Sequence, residues 1–128
     1  DGTAGDSFGV SVSFEDKYAL VGSYNDDDKG TDAGSAYVFT RSGTTWTQQA
    51  KLLASDGTTE DYFGFSVSIS GATALIGAPL AGNNGVGSTY VFTRTGGTDL
   101  PSLFLQLKER LFERFPNLFP NLRKIFMN

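Results

Sequence analysis

The chain has 128 residues, 39% of them hydrophobic, with no cysteine, no histidine and a formal charge of −4. That length suits one small domain with a modest core. The missing residue types exclude disulfides, cysteine nucleophiles, histidine-containing triads and Cys/His zinc sites, and no apolar run reaches the roughly 18–20 residues needed to span a bilayer.

The first predicted strand lies at Val10, Val12 and Phe14, which alternate with Ser11 and Ser13, the period of two that a strand requires. A short apolar run, Ala19–Gly22, follows a turn and reads as a second strand. Ala36–Thr40 is rich in β-branched and aromatic residues and reads as a third. A fourth is expected at Trp46–Leu53, with Trp46, Ala50 and Leu52 inward and Thr47, Gln49 and Lys51 toward water. Gln48 breaks that inward pattern, which suits an outer strand.

The chain then repeats itself. "DGTAGDSFGVSVS" (Asp1–Ser13) aligns with "DGTTEDYFGFSVS" (Asp56–Ser68), and "YALVGSY" (Tyr18–Tyr24) with "TALIGAP" (Thr73–Pro79), both at an offset of 55. "GSAYVFTRSGTT" (Gly34–Thr45) aligns with "GSTYVFTRTGGT" (Gly87–Thr98) at an offset of 53, with 9 of 12 residues identical. The difference falls inside a Gly/Asn/Asp loop, where insertions are tolerated. Strands are therefore expected again at Phe65–Ser70, Ala74–Gly77 and Thr89–Thr93. Several short strands in some 50 residues, repeated, is the sequence form of a β-propeller blade. The small serines of each first strand suit a tight position between neighbouring blades.

Beyond Thr98 the repeat breaks. Asp99 stands where Trp46 stood, and "LPSLFLQ" replaces "TQQAKLL". Pro101 argues against a central strand, so the second blade is expected to lack its outer strand. Leu103, Phe104, Leu107, Leu111, Phe112 and Phe115 fall on one helical stripe. Asp99 or Ser102 would cap this helix, Pro116 would end or kink it, and a second short turn would run on to Phe126. The organisation expected is blade 1 over 1–55, blade 2 over 56–98 and an amphipathic α-helical tail over 99–128. Residues 1–99 carry twelve acids against five bases, whereas 100–128 carry five bases against two acids, as for two different modules. The acidic body argues against a nucleic-acid partner. For the apolar stripe of the tail, three coverings are open: the blades, a partner helix in a homo-oligomer, and a membrane surface. The start at Asp1, with Met127 the single methionine, reads as a fragment, a processed product or a trimmed chain.

At "FGVSVSF…YALVGSY" and "FGFSVSI…TALIGAP" the sequence resembles the FG-GAP repeat family. Phe63-Gly64 and Gly77-Ala78-Pro79 match both signature pairs, Phe8-Gly9 matches the first, and Gly22-Ser23-Tyr24 departs from the second. The "GSAYVFTRSGTTWTQQAKL" style is similar to repeats of large secreted or surface-attached prokaryotic proteins; integrin alpha-chain heads are better-known members. The resemblance covers residues 1 to about 98. It implies an incomplete β-propeller with a non-catalytic role in adhesion or ligand binding, outside the cell or on its surface, toward a protein or glycan. The alternative is a propeller that positions a separate catalytic domain. The FG and GAP residues read as structural, with Phe8 and Phe63 anchoring blade to blade.

The loop "NDDDKGTDAG" (Asn25–Gly34) is the chemical candidate. Hard cations take several oxygen ligands, and Asp26, Asp28 and Asp32, with Gly30 at a sharp turn, would converge on one calcium ion. The family's D-x-D-x-D-G-x-x-D loop is not reproduced, because Lys29 replaces the third acid and the loop follows the GAP-equivalent position. The corresponding "AGNNGVG" (Ala81–Gly87) has no acid. A solvated acidic turn is the leading reading and calcium the second. Asp6 and Asp61, and Asp1 and Asp56, recur at equivalent places and read as turn caps; no spacing singles out a catalytic acid and base. The ligand-contact candidates are the loops around Tyr24–Gly34 and Pro79–Gly87.

Overall fold

The computed structural model describes residues 2–94, together with the backbone of 104–108. It consists of two four-stranded antiparallel sheets, each an up-and-down meander. The first holds β1 (Ser11–Glu15), β2 (Tyr18–Ser23), β3 (Ser35–Ser42) and β4 (Thr45–Leu52). The second holds β5 (Ser66–Ser70), β6 (Thr73–Ala78), β7 (Ser88–Arg94) and β8 (Phe104–Lys108). Equivalent strands keep equivalent registers: Ser11 faces Gly22 in the first sheet as Ser66 faces Gly77 in the second. Ser23 faces Ser35 as Ala78 faces Ser88.

Strand β8 corrects the expectation of a helix starting near Leu103 and of a second sheet without an outer strand. It pairs with β7 from Tyr90↔Lys108 to Arg94↔Phe104. The physical reason lies in β7, whose outer row of N–H and C=O groups needs partners. "FLQLK" also satisfies a strand template, since short apolar runs are ambiguous between the two periods. The rest of the expected helical tail, from 109 onward, lies outside the described residues.

The expected facing of β4 is also corrected. A bulge opposite Val38/Phe39 leaves Gln49 unpaired, so Val38 faces Ala50 and Phe39 faces Gln48. The extra residue reverses the alternation along the strand. Ala50 and Leu52 therefore share a face with Ala36 and Val38, while Trp46, Gln48 and Lys51 lie with Tyr37 and Phe39. Trp46 is exposed and meets Phe14 edge-on, with ring centroids 5.9 Å apart.

The core lies between the sheets. Leu20, Ala36, Val38 and Leu52 of the first sheet pack with Phe63, Ile69, Ala74, Ile76, Tyr90 and Phe92 of the second unit. Along the inner strands the hydrophobic residues face the preceding side and the serines face the following one. Ser11 Oγ donates to Gly64 O at 2.8 Å, Ser13 Oγ accepts from Ile69 N at 3.0 Å, and Glu15 accepts from Gly71 N. The serines thus do more than save space, because they bond the two sheets laterally.

Phe63-Gly64 joins the sheets. Phe63 N donates to Ala33 O (2.9 Å), while its ring packs edge-on against Tyr90 and Phe92 at 5.2 and 6.0 Å. Gly64 has φ +92°, and a Cβ there would overlap Ser35 O; a Cβ at Gly34 would overlap the Phe63 backbone. Only glycine fits either side of this backbone-to-backbone approach. Phe8 packs on Tyr37 and Phe39 with matching geometry (5.2 and 6.3 Å), but no other sheet among the described residues covers it. It is 55% exposed, against 0% for Phe63.

Truncation should therefore have unequal costs at the two equivalent positions. Phe63→Ala is expected to cost about 3–5 kcal/mol of unfolding free energy and Phe8→Ala about 1–2 kcal/mol, as read from urea denaturation of dilute protein.

Candidate functional site

The acidic loop joins β2 to β3, and its first acid is folded inward. Asp26 is 2% exposed. Its carboxylate accepts from Asp28 N (3.1 Å), Ser35 Oγ (3.0 Å) and Tyr37 Oη (2.9 Å), and Lys51 Nζ lies 2.8 Å away. Lys51 also donates to Asp28 Oδ2 at 2.6 Å and sits over the Tyr37 ring, 5.2 Å from its centroid. The bulge in β4 brings Lys51 here by placing it on the Tyr37 face. Burial alone would raise the Asp26 pKa, but Lys51, Tyr37, the Asp28 N–H and Ser35 outweigh it and hold the carboxyl below its ordinary value of 3.8. Burial likewise opposes the Lys51 charge, yet Asp26, Asp28 and Tyr37 raise its pKa above the ordinary lysine value.

Of the four residues expected to ligate calcium, Asp26 and Asp28 converge on Lys51. Asp32 is fixed through its backbone: its N–H donates to Asp27 Oδ1 at 2.8 Å, and it takes a positive φ of 54°. Gly30 closes a turn through Gly30 N to Asp27 O (3.1 Å), and a Cβ there would press on Thr59. Among the described residues no three acidic, Cys or His side chains are grouped to hold a metal. The ammonium supplies positive charge where Asp26 and Asp28 meet. Asp26 itself is buried, not a solvated acid, a fact that the run of four aspartates in the sequence masks.

The expected turn caps are present at Asp6 and Asp61. Asp6 accepts from Thr3 N and Thr3 Oγ1, both at 2.7 Å. Asp61 accepts from Thr58 N at 2.7 Å and Thr58 Oγ1 at 3.0 Å. Asp56 accepts from Tyr90 Oη at 3.0 Å, whereas Asp1 lies outside the described residues. The Asp6 and Asp61 carboxylates are thus occupied by their own turns, and Asp56 by the hydroxyl of Tyr90 in β7.

The candidate contact loops, β2–β3 and β6–β7, emerge at one end. Residues 60–63 bond back to Thr31, Asp32 and Ala33 just before β5 begins, and the start of β5 pairs with the end of β6. At this junction Tyr24 meets Tyr62 and Phe65 edge-on at 5.5 and 5.4 Å. Phe65, Leu80 and Val86 are exposed nearby. Sequence reasoning picked out the loops but missed this aromatic cluster, because its members come from different repeats.

The family model of the FG-GAP repeat matches residues 1–39 and 46–92. The chain belongs to the FG-GAP repeat family. No curated protein matches it.

The Asp26–Lys51 pair makes stability depend on pH with a fixed sign. A carboxyl with a lowered folded pKa contributes stability that is complete above its ordinary value and fades as pH falls through the folded value. Asp26→Asn should thus cost about 2–3 kcal/mol near neutrality, with the gap from the parent closing below the ordinary value of 3.8, measured by urea titration across acid pH.

Proposed function

We propose that the chain is a non-catalytic recognition scaffold, part of a β-propeller that works outside the cell or at its surface and binds a protein or glycan. Membership of the FG-GAP family supports the class, since such repeats commonly serve binding and adhesion. The observation that carries the reading is the shared end of the two sheets. There, exposed Leu80 and the Tyr24–Tyr62–Phe65 cluster stand beside two loops that the rigid sheets hold in place. Amphipathic rings on a fixed frame give large contact area at small entropic cost. The buried acids Asp6, Asp26 and Asp61 are each held by structural partners.

Binding of the whole chain to immobilised polysaccharides and to a panel of surface proteins tests the proposal. Retention on one class is expected, weakened about tenfold, or 1.4 kcal/mol, by Tyr24→Ala or Leu80→Asp. Retention that both variants leave intact would remove this end of the molecule from the role. Turnover of a retained polysaccharide would replace the scaffold reading with an enzymatic one.

A further inference from the structure

The first sheet's following face is covered by the second sheet, and among the described residues nothing covers the second sheet's following face. Residue by residue the two faces correspond. Leu20 is 0% exposed and its equivalent Leu75 43%. Gly22 lies under Gly64 O, whereas the atoms nearest a Cβ at its equivalent Gly77 belong to Ser66 of the same sheet. Ala36 and Val38 are buried, while Thr89 and Val91 line an open groove of about 780 Å³ with Leu75, Gly77 and Val86. The serines that would bond a neighbour, Ser66 and Ser68, are exposed.

The opposite end carries the complementary piece. Phe8, Val10, Val12 and Phe14 are exposed, and their equivalents Phe63, Phe65, Val67 and Ile69 lead or form the strand that docks on the first sheet. The described residues thus display a plug on the outer face of one sheet and an uncovered socket on the outer face of the other, and the junction between the two sheets shows how they fit.

We propose that the open face of the second sheet is a socket for the Phe8-Gly9 segment and β1 of a second copy of this chain, so that copies associate head to tail. Continuing the internal interface assigns each contact. Phe8 N of the incoming copy donates to Val86 O, as Phe63 N does to Ala33 O. Ser66 Oγ donates to Gly9 O, as Ser11 Oγ does to Gly64 O. Ser68 Oγ accepts from Phe14 N, as Ser13 Oγ does from Ile69 N. Val12 of the incoming copy covers Leu75, as the second sheet covers Leu20. Such an interface is heterologous, with different patches on its two sides, and so generates rings or filaments, not symmetric pairs.

Complementary variants test it. Val12→Lys blocks the plug and Leu75→Lys blocks the socket; both sites are exposed in the single chain, and matching thermal melts would show that both variants fold. The parent chain is expected to gain mass with concentration in analytical ultracentrifugation. Each variant alone should associate at least about tenfold more weakly, a loss of 1.4 kcal/mol. A mixture of the two should form one-to-one dimers and nothing larger, because one good plug and one good socket remain. A parent chain monomeric up to millimolar concentration would overturn the proposal, and would mean that something other than a second copy covers the groove. Variants that fail to complement when mixed would overturn it equally.

Discussion

The structure depends on one close approach, that of the Phe63-Gly64 backbone to the first sheet. A single dipeptide does three jobs there. Its phenylalanine fills the core of its own unit, its glycine lets the chain lie against the carbonyl of Ser35, and its N–H groups bond in two directions, to Ala33 O and Gly77 O. The residue before it, Tyr62, is held at a positive φ of 57°, as is Ser7 before Phe8 at 55°. Such conformations cost of order 1–3 kcal/mol and persist only where surrounding bonds over-determine them. Here Tyr62 N to Asp32 O and Phe65 N to Tyr62 O supply that constraint. The twist lifts the Phe-Gly pair out of the linker and seats it on the neighbour, so the motif's spacing reflects a backbone requirement and not a ligand.

This explains why the fold was largely legible. Serines alternating with valine and phenylalanine report a strand with one crowded face and one apolar face, and both faces exist. The aligned copies locate six of the eight strands with little ambiguity, because each copy vouches for the other. The errors fall where that support fails. β4 has no counterpart in sequence, and a one-residue bulge is invisible to pattern counting, so Trp46 and Lys51 were assigned the wrong faces. β8 was missed because its sequence differs entirely from β4; only the edge of β7, a tertiary feature, selects strand for it.

The candidate site was legible in part. The acidic loop announces itself, but composition alone cannot distinguish an acid that binds a cation from one that binds a lysine 25 positions away. The register of β3 and β4, which sets Tyr37 opposite Lys51, is what brings that lysine to Asp26. The ion pair, the tyrosine hydroxyl and Ser35 then satisfy a buried carboxylate, which would otherwise be costly. Every member must be present together, which gives the second copy its meaning. Ala81 stands where Asp26 would be, and it is buried. With the acid gone, Ser88 loses the acceptor that Ser35 has, while Tyr90 turns to Asp56 instead.

The two copies therefore differ in a directed way. Their apolar frames are the same, but the first spends its loop on a closed polar network and the second leaves an apolar, glycine-rich loop beside an unfilled groove. An open stack of repeats has two unsatisfied faces, since each internal face is covered by a neighbour and the terminal ones are not, whereas a closed ring of blades has none. In this chain those faces are Phe8 to Phe14 on one side and Leu75 to Val91 on the other. The same residue types that make the internal junction stable make the outer faces adhesive. The residue types that build the internal junction thus recur, position for position, on the two outer faces of the described sheets.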